Sequence, residues 1–203
     1  MGRMRLGIFG GTFDPIHKGH LAIAEAMQQQ LKLDRILFIP DYLPPHKLQQ
    51  QCSPSPDRLA MTLLGIQGHP LFTVSDRELR RRGVSYTVDT LHQLYRRYHR
   101  YYDLYFLIGA DSAEQLPTWH RIREAMRCSI FAAAARPGFA PYKEKVTRAL
   151  ARQGLTRLVW VDTPEIDISS TQIRQRVRAG QAIGDLVPQA VADYIRQREL
   201  YQG

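Results

Sequence analysis

Two histidines three residues apart, His17 and His20, follow a glycine turn near the start of the chain. The turn, Gly10 and Gly11, comes directly after an apolar run over 6–9 that predicts a buried strand, and a helical apolar pattern follows over 20–31. Glycines let backbone N–H groups approach an anion, and a helix N-terminus adds unpaired donors and the positive end of its dipole. Because residues at i and i+3 share a helix face, both imidazoles can point at one bound group. The stretch therefore predicts a polyphosphate site.

Other interpretations of this stretch have less support. No Gly-Lys-Ser/Thr follows the glycines, so the stretch is not a Walker loop, and it lacks the G-x-G-x-x-G spacing of a dinucleotide fingerprint. Two histidines could ligate zinc, but no cysteine is nearby and no third ligand is indicated, so we expect no metal site on the protein. Taken alone, H-x-x-H at a helix start is more often a capping or packing feature, and this alternative stays open.

A second candidate motif, Ile-Ser-Ser-Thr-Gln-Ile-Arg, occupies residues 168–174. Ser169 and Gln172 fit the capping box of a short helix, which is the simpler interpretation. Three hydroxyls at a helix start, those of Ser169, Ser170 and Thr171, with Arg174 one turn further on, would also bind an anion, because a planar guanidinium can hold phosphate oxygens. Both interpretations stay open at this point.

Strand and helix patterns alternate along the chain. The strand candidates cover 6–9, 35–39, 72–75, 103–108, 129–134 and 158–162, and the helical patterns cover 20–31, 56–66, 88–99, 113–126 and 142–153. This alternation predicts the α/β class, with a doubly wound, mainly parallel sheet in a three-layer α/β/α arrangement. Ligands bind such sheets at the carboxyl ends of the strands. The glycine turn, the segment from Gly109 to Asp111 and the Ser169 turn all follow strand candidates, so we expect them to converge.

The composition indicates a cytoplasmic protein of one domain. The chain has 203 residues, of which 44% are hydrophobic, and this suits a single domain over 1–203. Cys52 and Cys128 are too few for a disulfide framework, and the chain opens with no signal-peptide pattern. No apolar run approaches the roughly 20 residues that span a bilayer, so we expect no membrane partner.

The net charge of +9 suits either a nucleic acid or polyanionic small molecules as the partner. Arginines and tyrosines alternate over 95–102, as an RNA-stacking surface would require. However, Leu91, Leu94, Tyr95 and Tyr98 repeat at helical spacing and predict a stripe that faces the core. We therefore expect small-molecule polyanions and no nucleic acid.

The segment over 41–57 is rich in proline and glutamine and is longer than most connections within a domain. This composition predicts a mobile flap. Lys47 within it would bring a cation to a substrate phosphate, although a lone loop lysine is usually just solvated.

Together, the stretches over 10–20 and 168–174 resemble those of the H-x-G-H nucleotidyltransferase superfamily. Further blocks at 44–47, 85–91, 109–112, 116–119 and 136–138 resemble bacterial nicotinate-nucleotide adenylyltransferases, over nearly the whole chain. The resemblance implies a Rossmann-like nucleotidyltransferase fold. It also implies transfer of AMP from ATP to nicotinate mononucleotide, giving nicotinate adenine dinucleotide and pyrophosphate in NAD biosynthesis, with Mg²⁺ accompanying the ATP.

The resemblance also implies roles for individual residues. The acceptor phosphate, already anionic, would attack the α-phosphorus of ATP in line, without a protein nucleophile or general base. His17, His20 and Arg174 would be catalytic, and the ring of Trp119 would stack on nicotinate beside Thr87. The expected ATP contacts are Gly10, Gly11, Thr12, Phe13, Gly109, Asp111, Ser169, Ser170 and Thr171. The expected contacts with nicotinate mononucleotide are Asp14, Lys47, Tyr86, Thr87, Trp119 and His120.

Three alternatives stay open at the level of the sequence. Within the superfamily, the acceptor could be phosphopantetheine or nicotinamide mononucleotide. A nucleotide-binding regulatory or RNA-binding module without turnover would keep the same fold. The oligomeric state is open as well, with a homo-oligomer among the choices.

Overall fold

Six parallel strands form one sheet in the computed structural model of the chain, which describes residues 2–45, 52–135 and 140–202. They are β1 (Met4–Gly11), β2 (Arg35–Pro40), β3 (Phe72–Val74), β4 (Tyr102–Gly109), β5 (Ile130–Ala135) and β6 (Leu158–Asp162). Each of the six predicted strands is confirmed, with ends that differ by two residues at most.

The strand order is β3-β2-β1-β4-β5-β6, so the chain moves outward from β1 first in one direction and then in the other. β1 and β4 are neighbours at the centre, with Leu6 paired to Leu104 and Ile8 to Phe106. This is the doubly wound topology that the alternating pattern predicts. The order of the strands reverses between β1 and β4, where α/β sheets open a crevice for ligands.

The helices of the described residues largely follow the predicted pattern. They are α1 (Lys18–Leu31), α2 (Ser55–Gly65), α3 (Arg77–Arg81), α4 (Thr87–Tyr98), α5 (Ala110–Gln115), α6 (Ile122–Cys128), α7 (Ala140–Arg152), α8 (Ser170–Arg178) and α9 (Gln189–Gln197). Among them, no helix has the length and apolar character needed to cross a membrane.

The prediction of one helix over 113–126 is wrong. A 3₁₀ turn, Leu116–Thr118, follows α5, and α6 begins only at Ile122. Pro117 lacks the N–H that a continuing α-helix would need, and Arg121 has left-handed backbone (φ +52°). The break leaves Trp119 and His120 in a connecting segment, with Trp119 half-buried and His120 exposed.

Two apolar layers cover the two faces of the sheet. Along β4, Leu107 packs on one side, whereas Phe106 and Ile108 pack on the other, as the two-residue period of a strand requires. The first side is covered by α1, α2, α8 and α9, and the second by α4 to α7. The three-layer α/β/α arrangement is therefore confirmed.

The predicted tyrosine stripe on α4 is correct only in part. Leu91 and Leu94 are fully buried and Tyr98 packs against the core, but Tyr95 is 40% exposed. The ring of Tyr95 lies at the solvent edge of the stripe, where it stacks on His99 at a centroid distance of 4.8 Å. The prediction of a core-facing position is wrong for Tyr95.

The loop between β1 and α1 is seated on α2. Ile16, in this loop, is fully buried. A Cβ atom added to Gly65 of α2 would lie 2.6 Å from the Cγ2 atom of Ile16. Such a distance is shorter than van der Waals contact allows, so the loop can approach α2 this closely only because residue 65 is glycine. The fold thereby fixes the segment that carries the two histidines.

Candidate active site

The histidine pair forms the N-terminal cap of α1. Nδ1 of His17, the N-cap residue, accepts a hydrogen bond from the backbone N–H of His20 (3.3 Å), and Nδ1 of His20 accepts one from the backbone N–H of His17 (3.2 Å). The two rings stack with their centroids 3.6 Å apart. The capping interpretation is confirmed: the two histidines occupy the places of Ser/Thr and Glu/Gln in a capping box.

The same cap sets the chemistry of both imidazoles. A backbone N–H can only donate, so each Nδ1 is an unprotonated acceptor, and a neutral imidazole of this kind carries its proton on Nε2. His17 is 6% exposed, and its burial lowers its pKa from 6.5 to about 4, so the ring is neutral at neutral pH. Capping uses Nδ1 and leaves the donor function to Nε2. A role in phosphate binding is thus compatible with the cap.

The second motif lies against the loop between β1 and α1, on the same side of the sheet as α1. Ser170 donates from Oγ to the carbonyl oxygen of Pro15 (2.9 Å), and Arg174 donates from Nη1 to the carbonyl oxygen of Asp14 (2.8 Å) and from Nη2 to Oγ1 of Thr171 (3.2 Å). These bonds place the N-terminus of α8 beside the loop that ends in His17. The two motifs predicted to converge lie together.

The Ser169 half of the capping box predicted for α8 is confirmed. Oγ of Ser169, the N-cap residue, accepts from the backbone N–H of Gln172 (3.1 Å). Neither α1 nor α8 has an acidic residue in its first turn; α7 and α9 have none either, whereas each helix from α2 to α6 has one. Two helix N-termini whose dipoles are not offset by a carboxylate therefore meet at one place, and this favours an anionic ligand.

The third predicted segment follows the central strand β4. Gly109 is the N-cap residue of α5, and Asp111 is exposed in the first turn of that helix. Because β4 pairs in parallel with β1, the carboxyl ends of the two strands lie at the same edge of the sheet. Gly109 and Asp111 are thus at the edge where the histidine loop lies.

The prediction of a turn at Gly10 and Gly11 is wrong, because β1 continues through both glycines, which pair with Ile39 and Pro40 of β2. The missing side chain matters at Gly11, where an aromatic ring approaches closely. A Cβ atom at Gly11 would lie 3.0 Å from the ring of Phe13, and one at Gly10 would lie 3.5 Å from the ring of Phe106. Phe13 is 2% exposed and packs edge-on to His20 with ring centroids 5.2 Å apart. The Phe13 ring therefore packs against the ring of His20. The predicted contact of Phe13 with ATP would then be made by the backbone of Phe13.

A second group of predicted residues lies around the segment between α5 and α6. His120 lies over the ring of Tyr86 at a centroid distance of 4.4 Å, and Thr87 is the first residue of α4. Trp119 packs edge-on to Phe106 at 6.2 Å. Phe106 thus lies beside both Gly10, at the end of β1, and Trp119, and connects the two groups.

Two predicted contacts with nicotinate mononucleotide, Asp14 and Lys47, differ from the rest: one is buried, and the other lies outside the described residues. Asp14 is 5% exposed, and its carboxylate accepts from the backbone N–H of Ser53 (3.0 Å) and from the hydroxyl of Tyr201 (2.6 Å). These bonds use the carboxylate to hold protein segments together. Lys47 lies in 46–51, the part of the predicted flap over 41–57 that is outside the described residues, as are residues 136–138.

Sequence reasoning missed Arg58, which is 1% exposed. Five hydrogen bonds match the five N–H groups of its guanidinium. Nε donates to the carbonyl oxygen of Ser53; Nη1 donates to the carbonyl oxygen of Thr12 and to Oδ1 of Asp41; Nη2 donates to the carbonyl oxygen of Tyr42 and to Oγ of Ser55. Oδ2 of Asp41 also accepts from Oγ1 of Thr12 at 3.0 Å. The sequence contained a signal for this buried arginine, because helical spacing places Arg58 on the same face of α2 as Met61, Thr62 and Gly65, which are buried.

A cavity of about 450 Å³ at the far end of the sheet is separate from this site, although four arginines line it. Nη1 of Arg157 donates to the carbonyl oxygens of Met126 and Arg127 near the end of α6, and Nη2 of Arg123 donates to the carbonyl oxygen of Gln153 just after α7. These arginines stabilise helix C-termini, whose dipoles present partial negative charge to the cavity. The arrangement therefore does not favour an anion there.

Comparisons with known proteins agree with the geometry. Residues 8–176 match the model of the cytidylyltransferase-like family. The chain is 43% identical over 200 residues to a Dehalococcoides mccartyi protein named "Probable nicotinate-nucleotide adenylyltransferase", with 98% of this chain and 97% of the relative covered. A Geobacillus kaustophilus protein of the same name is 44% identical, with 97% and 86% covered.

Solved structures share the fold. The nicotinic acid mononucleotide adenylyltransferase of Plasmodium falciparum, complexed with APC, superposes with a TM-score of 0.76 at 18% identity, covering 98% of this chain and 97% of that one. The same enzyme complexed with NaAD gives a TM-score of 0.75 over the same shares of the two chains, also at 18% identity. At this identity the likeness supports the fold.

The bonding of Arg58 predicts that lysine cannot replace it. An ammonium is a point charge with three donors, so Arg58→Lys would leave buried acceptors unpaired and should lower the free energy of unfolding by at least about 2 kcal/mol. Urea denaturation measures this change. The control is Arg121→Lys, because Arg121 forms its two-bond pair with Glu124 in solvent. An equal shift of the midpoint in both variants would contradict the assigned role.

The depressed pKa of His17 predicts a loss of stability in acid. Between pH 6.5 and about pH 4, the unfolded chain binds a proton at His17 that the folded protein excludes. This titration therefore leaves the free energy of unfolding unchanged above pH 6.5 and lowers it as the pH drops towards 4. His17→Asn keeps an N-cap residue and removes this titration, and it should reduce the loss between pH 7.5 and 4.5 by about 2 kcal/mol. Urea titrations of both proteins at the two pH values measure it. The same acid sensitivity in both would rule out His17 as the cause.

Proposed function

This chain belongs to the cytidylyltransferase-like family and, within it, to the nicotinate-nucleotide adenylyltransferases, and we infer that it acts at the site formed by its two anion-binding motifs. It transfers AMP from ATP to nicotinate mononucleotide, and the products are nicotinate adenine dinucleotide and pyrophosphate. The observation that carries this assignment to particular residues is the meeting of the α1 and α8 N-termini through Ser170 and Arg174.

The triphosphate of ATP would lie where these helix N-termini meet. Backbone N–H groups at the carboxyl end of β1, around Gly10 and Gly11, and of the first turn of α8 would face its oxygens. His17 and His20 would donate from Nε2, since their Nδ1 atoms hold the cap. Neutral donors held in place by a helix cap can stabilise charge without reorganising during the reaction.

Arg174 would hold the distal phosphates. Two of the five N–H groups of its guanidinium bond to Asp14 and Thr171 within the described residues. These bonds fix the plane of the fork, so its other N–H groups can present two parallel donors to a phosphate. Pyrophosphate leaves from this side, and the arginine would stabilise the charge that develops on it.

The reaction needs no protein nucleophile. The phosphate of nicotinate mononucleotide is an anion at neutral pH, and one of its oxygens would attack the α-phosphorus of ATP in line with the departing pyrophosphate. The bond from the α-phosphorus to the bridging oxygen breaks as the new bond forms. Catalysis would then consist of positioning and charge stabilisation by His17, His20 and Arg174.

The acceptor would bind at the segment between α5 and α6. Trp119 is half-buried, with one edge on Phe106 and Phe131, so part of the ring is anchored while the rest can stack on nicotinate. Tyr86, Thr87 and His120 lie alongside, and we propose that backbone N–H groups near Thr87 and Trp119 bind the ring carboxylate. Asp14 would act through the loop that it holds, and Lys47 stays a predicted contact.

Magnesium would accompany ATP. The described residues contain no group of three His, Cys, Asp or Glu side chains that could hold a metal ion, so this part of the chain offers no such cage. Mg²⁺ is commonly held through substrate phosphates with few protein ligands. When bound, it would neutralise phosphate charge beside the imidazole and guanidinium donors.

We also propose a cytoplasmic location and small-molecule partners. Cys52 and Cys128 are not joined in a disulfide, as expected of a protein in a reducing compartment. The basic residues at the site of the reaction serve two polyanionic substrates, which explains part of the surplus charge without a nucleic acid.

The assignment predicts the outcome of an acceptor assay. Pyrophosphate release with ATP should require nicotinate mononucleotide, and kcat/KM with the nicotinamide form should be lower by at least about tenfold, because donors placed for a carboxylate pair poorly with an amide. Phosphopantetheine should give no product. Equal efficiency with acid and amide would refute the specificity, and absence of turnover with all three acceptors would refute the function.

The role of His20 predicts a loss of turnover on its removal. His20→Ala should lower kcat by at least about 100-fold, because a preorganised donor to the phosphates is lost. The same change removes one cap bond, so unfolding should be measured in parallel. His20→Gln, which can form the cap bond, separates the two effects: its stability should match the wild type, and its kcat should stay reduced. Normal turnover in a folded His20→Ala protein would exclude the role.

A further inference from the structure

A tyrosine from the segment after α9 reaches the loop between β1 and α1. The hydroxyl of Tyr201 donates to Oδ1 of Asp14 at 2.6 Å, across 187 positions of sequence. Oδ2 of the same carboxylate accepts from the backbone N–H of Ser53. A carboxylate as buried as that of Asp14 requires such donors, because removing a carboxylate from water without new hydrogen bonds has a large free-energy cost.

The segment that carries Tyr201 folds back on itself. Glu199 (φ +52°) and Tyr201 (φ +67°) both have left-handed backbone, which is unfavourable for residues with a side chain. Burial and the neighbouring Asp14 carboxylate raise the pKa of the Tyr201 hydroxyl far above its usual range, so the phenol stays protonated and remains a donor. The left-handed backbone thus occurs in the segment that carries a buried hydrogen bond from Tyr201 to Asp14.

Asp14 connects this tyrosine to the phosphate-binding groups. Its side chain is held by Tyr201, and its main-chain carbonyl accepts the hydrogen bond from Nη1 of Arg174. The next carbonyl, that of Pro15, accepts from Ser170, and the chain reaches the His17 cap two residues later. A shift of Asp14 would therefore move the acceptor that fixes the Arg174 fork.

We propose that Tyr201 is a positioning residue for the triphosphate of ATP, acting through Asp14 to fix Arg174 and the loop before α1. Tyr201 itself touches no reacting atom in this arrangement. The inference rests on the proposed function in one respect, the assignment of Arg174 to the phosphates of ATP.

The chain offers a matched control in Tyr194. Its hydroxyl donates to Oδ1 of Asp57 at 2.8 Å, so it also ties the region of α9 to a buried carboxylate. Asp57 lies in the first turn of α2, outside the loop between β1 and α1. Tyr194→Phe therefore removes the same kind of bond as Tyr201→Phe without changing the support of Asp14.

The experiment compares the two phenylalanine variants with the wild type. Each protein is unfolded in urea, and its kinetics are measured with ATP and nicotinate mononucleotide varied separately. Both variants should lose some stability. Tyr201→Phe should lower kcat/KM for ATP by about tenfold or more, since small misplacements of binding groups are costly to the rate, whereas Tyr194→Phe should stay within about twofold. The KM for nicotinate mononucleotide should change less than that for ATP.

Titration with α,β-methylene-ATP, an analogue that cannot transfer AMP, tests the inference without turnover. Its dissociation constant should rise by about tenfold in Tyr201→Phe and stay unchanged in Tyr194→Phe. Equal kinetic effects of the two variants, or an unchanged dissociation constant in Tyr201→Phe, would show that Tyr201 is purely structural. An inactive wild type would refute the proposed function, and the titration would still decide the role of Tyr201.

Discussion

The proposed site, at the carboxyl ends of the strands, depends on one constraint, the buried guanidinium of Arg58. A charge removed from water must have all its hydrogen bonds made by the protein, and those of Arg58 come from the turn after β1, the residues after β2 and the start of α2. These segments must therefore meet at one point. Thr12 and Asp41 belong to the same network, which holds the residue after β1 beside the residue after β2.

With the loop before α1 held in this way, structural and chemical roles fall on the same atoms. The bonds that begin α1 also decide which nitrogen of His17 and His20 carries a proton. The bond from Arg174 to the Asp14 carbonyl joins α8 to the loop, and in the proposed function the same bond would orient the guanidinium for phosphate. The capping role of these residues is therefore compatible with the proposed phosphate site. A preorganised site needs its donors fixed before the substrate arrives, and helix caps fix them.

The distribution of charge is more informative than its total. The arginines of the cavity at the far edge cap helix ends, where carbonyl groups concentrate negative potential. At the carboxyl ends of the strands, the first turns of α1 and α8 have no carboxylate. The positive ends of these helix dipoles therefore add to the positive charge of Arg174. A net charge of +9 taken from composition does not distinguish these two uses.

Local patterns in the sequence determined the six strands, most helices, the cap at Ser169 and the residues of both motifs, because strand period, helix period and helix caps depend on near neighbours. The burial of Arg58, the reach of Arg174 to Asp14 and the contact of Tyr201 with the same residue depended on tertiary structure. In the last two pairs the partners lie 160 and 187 positions apart, and local sequence carries no record of which partner packing will bring near. The break around Trp119 also escaped periodicity, since helical spacing continues across Pro117 while the backbone does not.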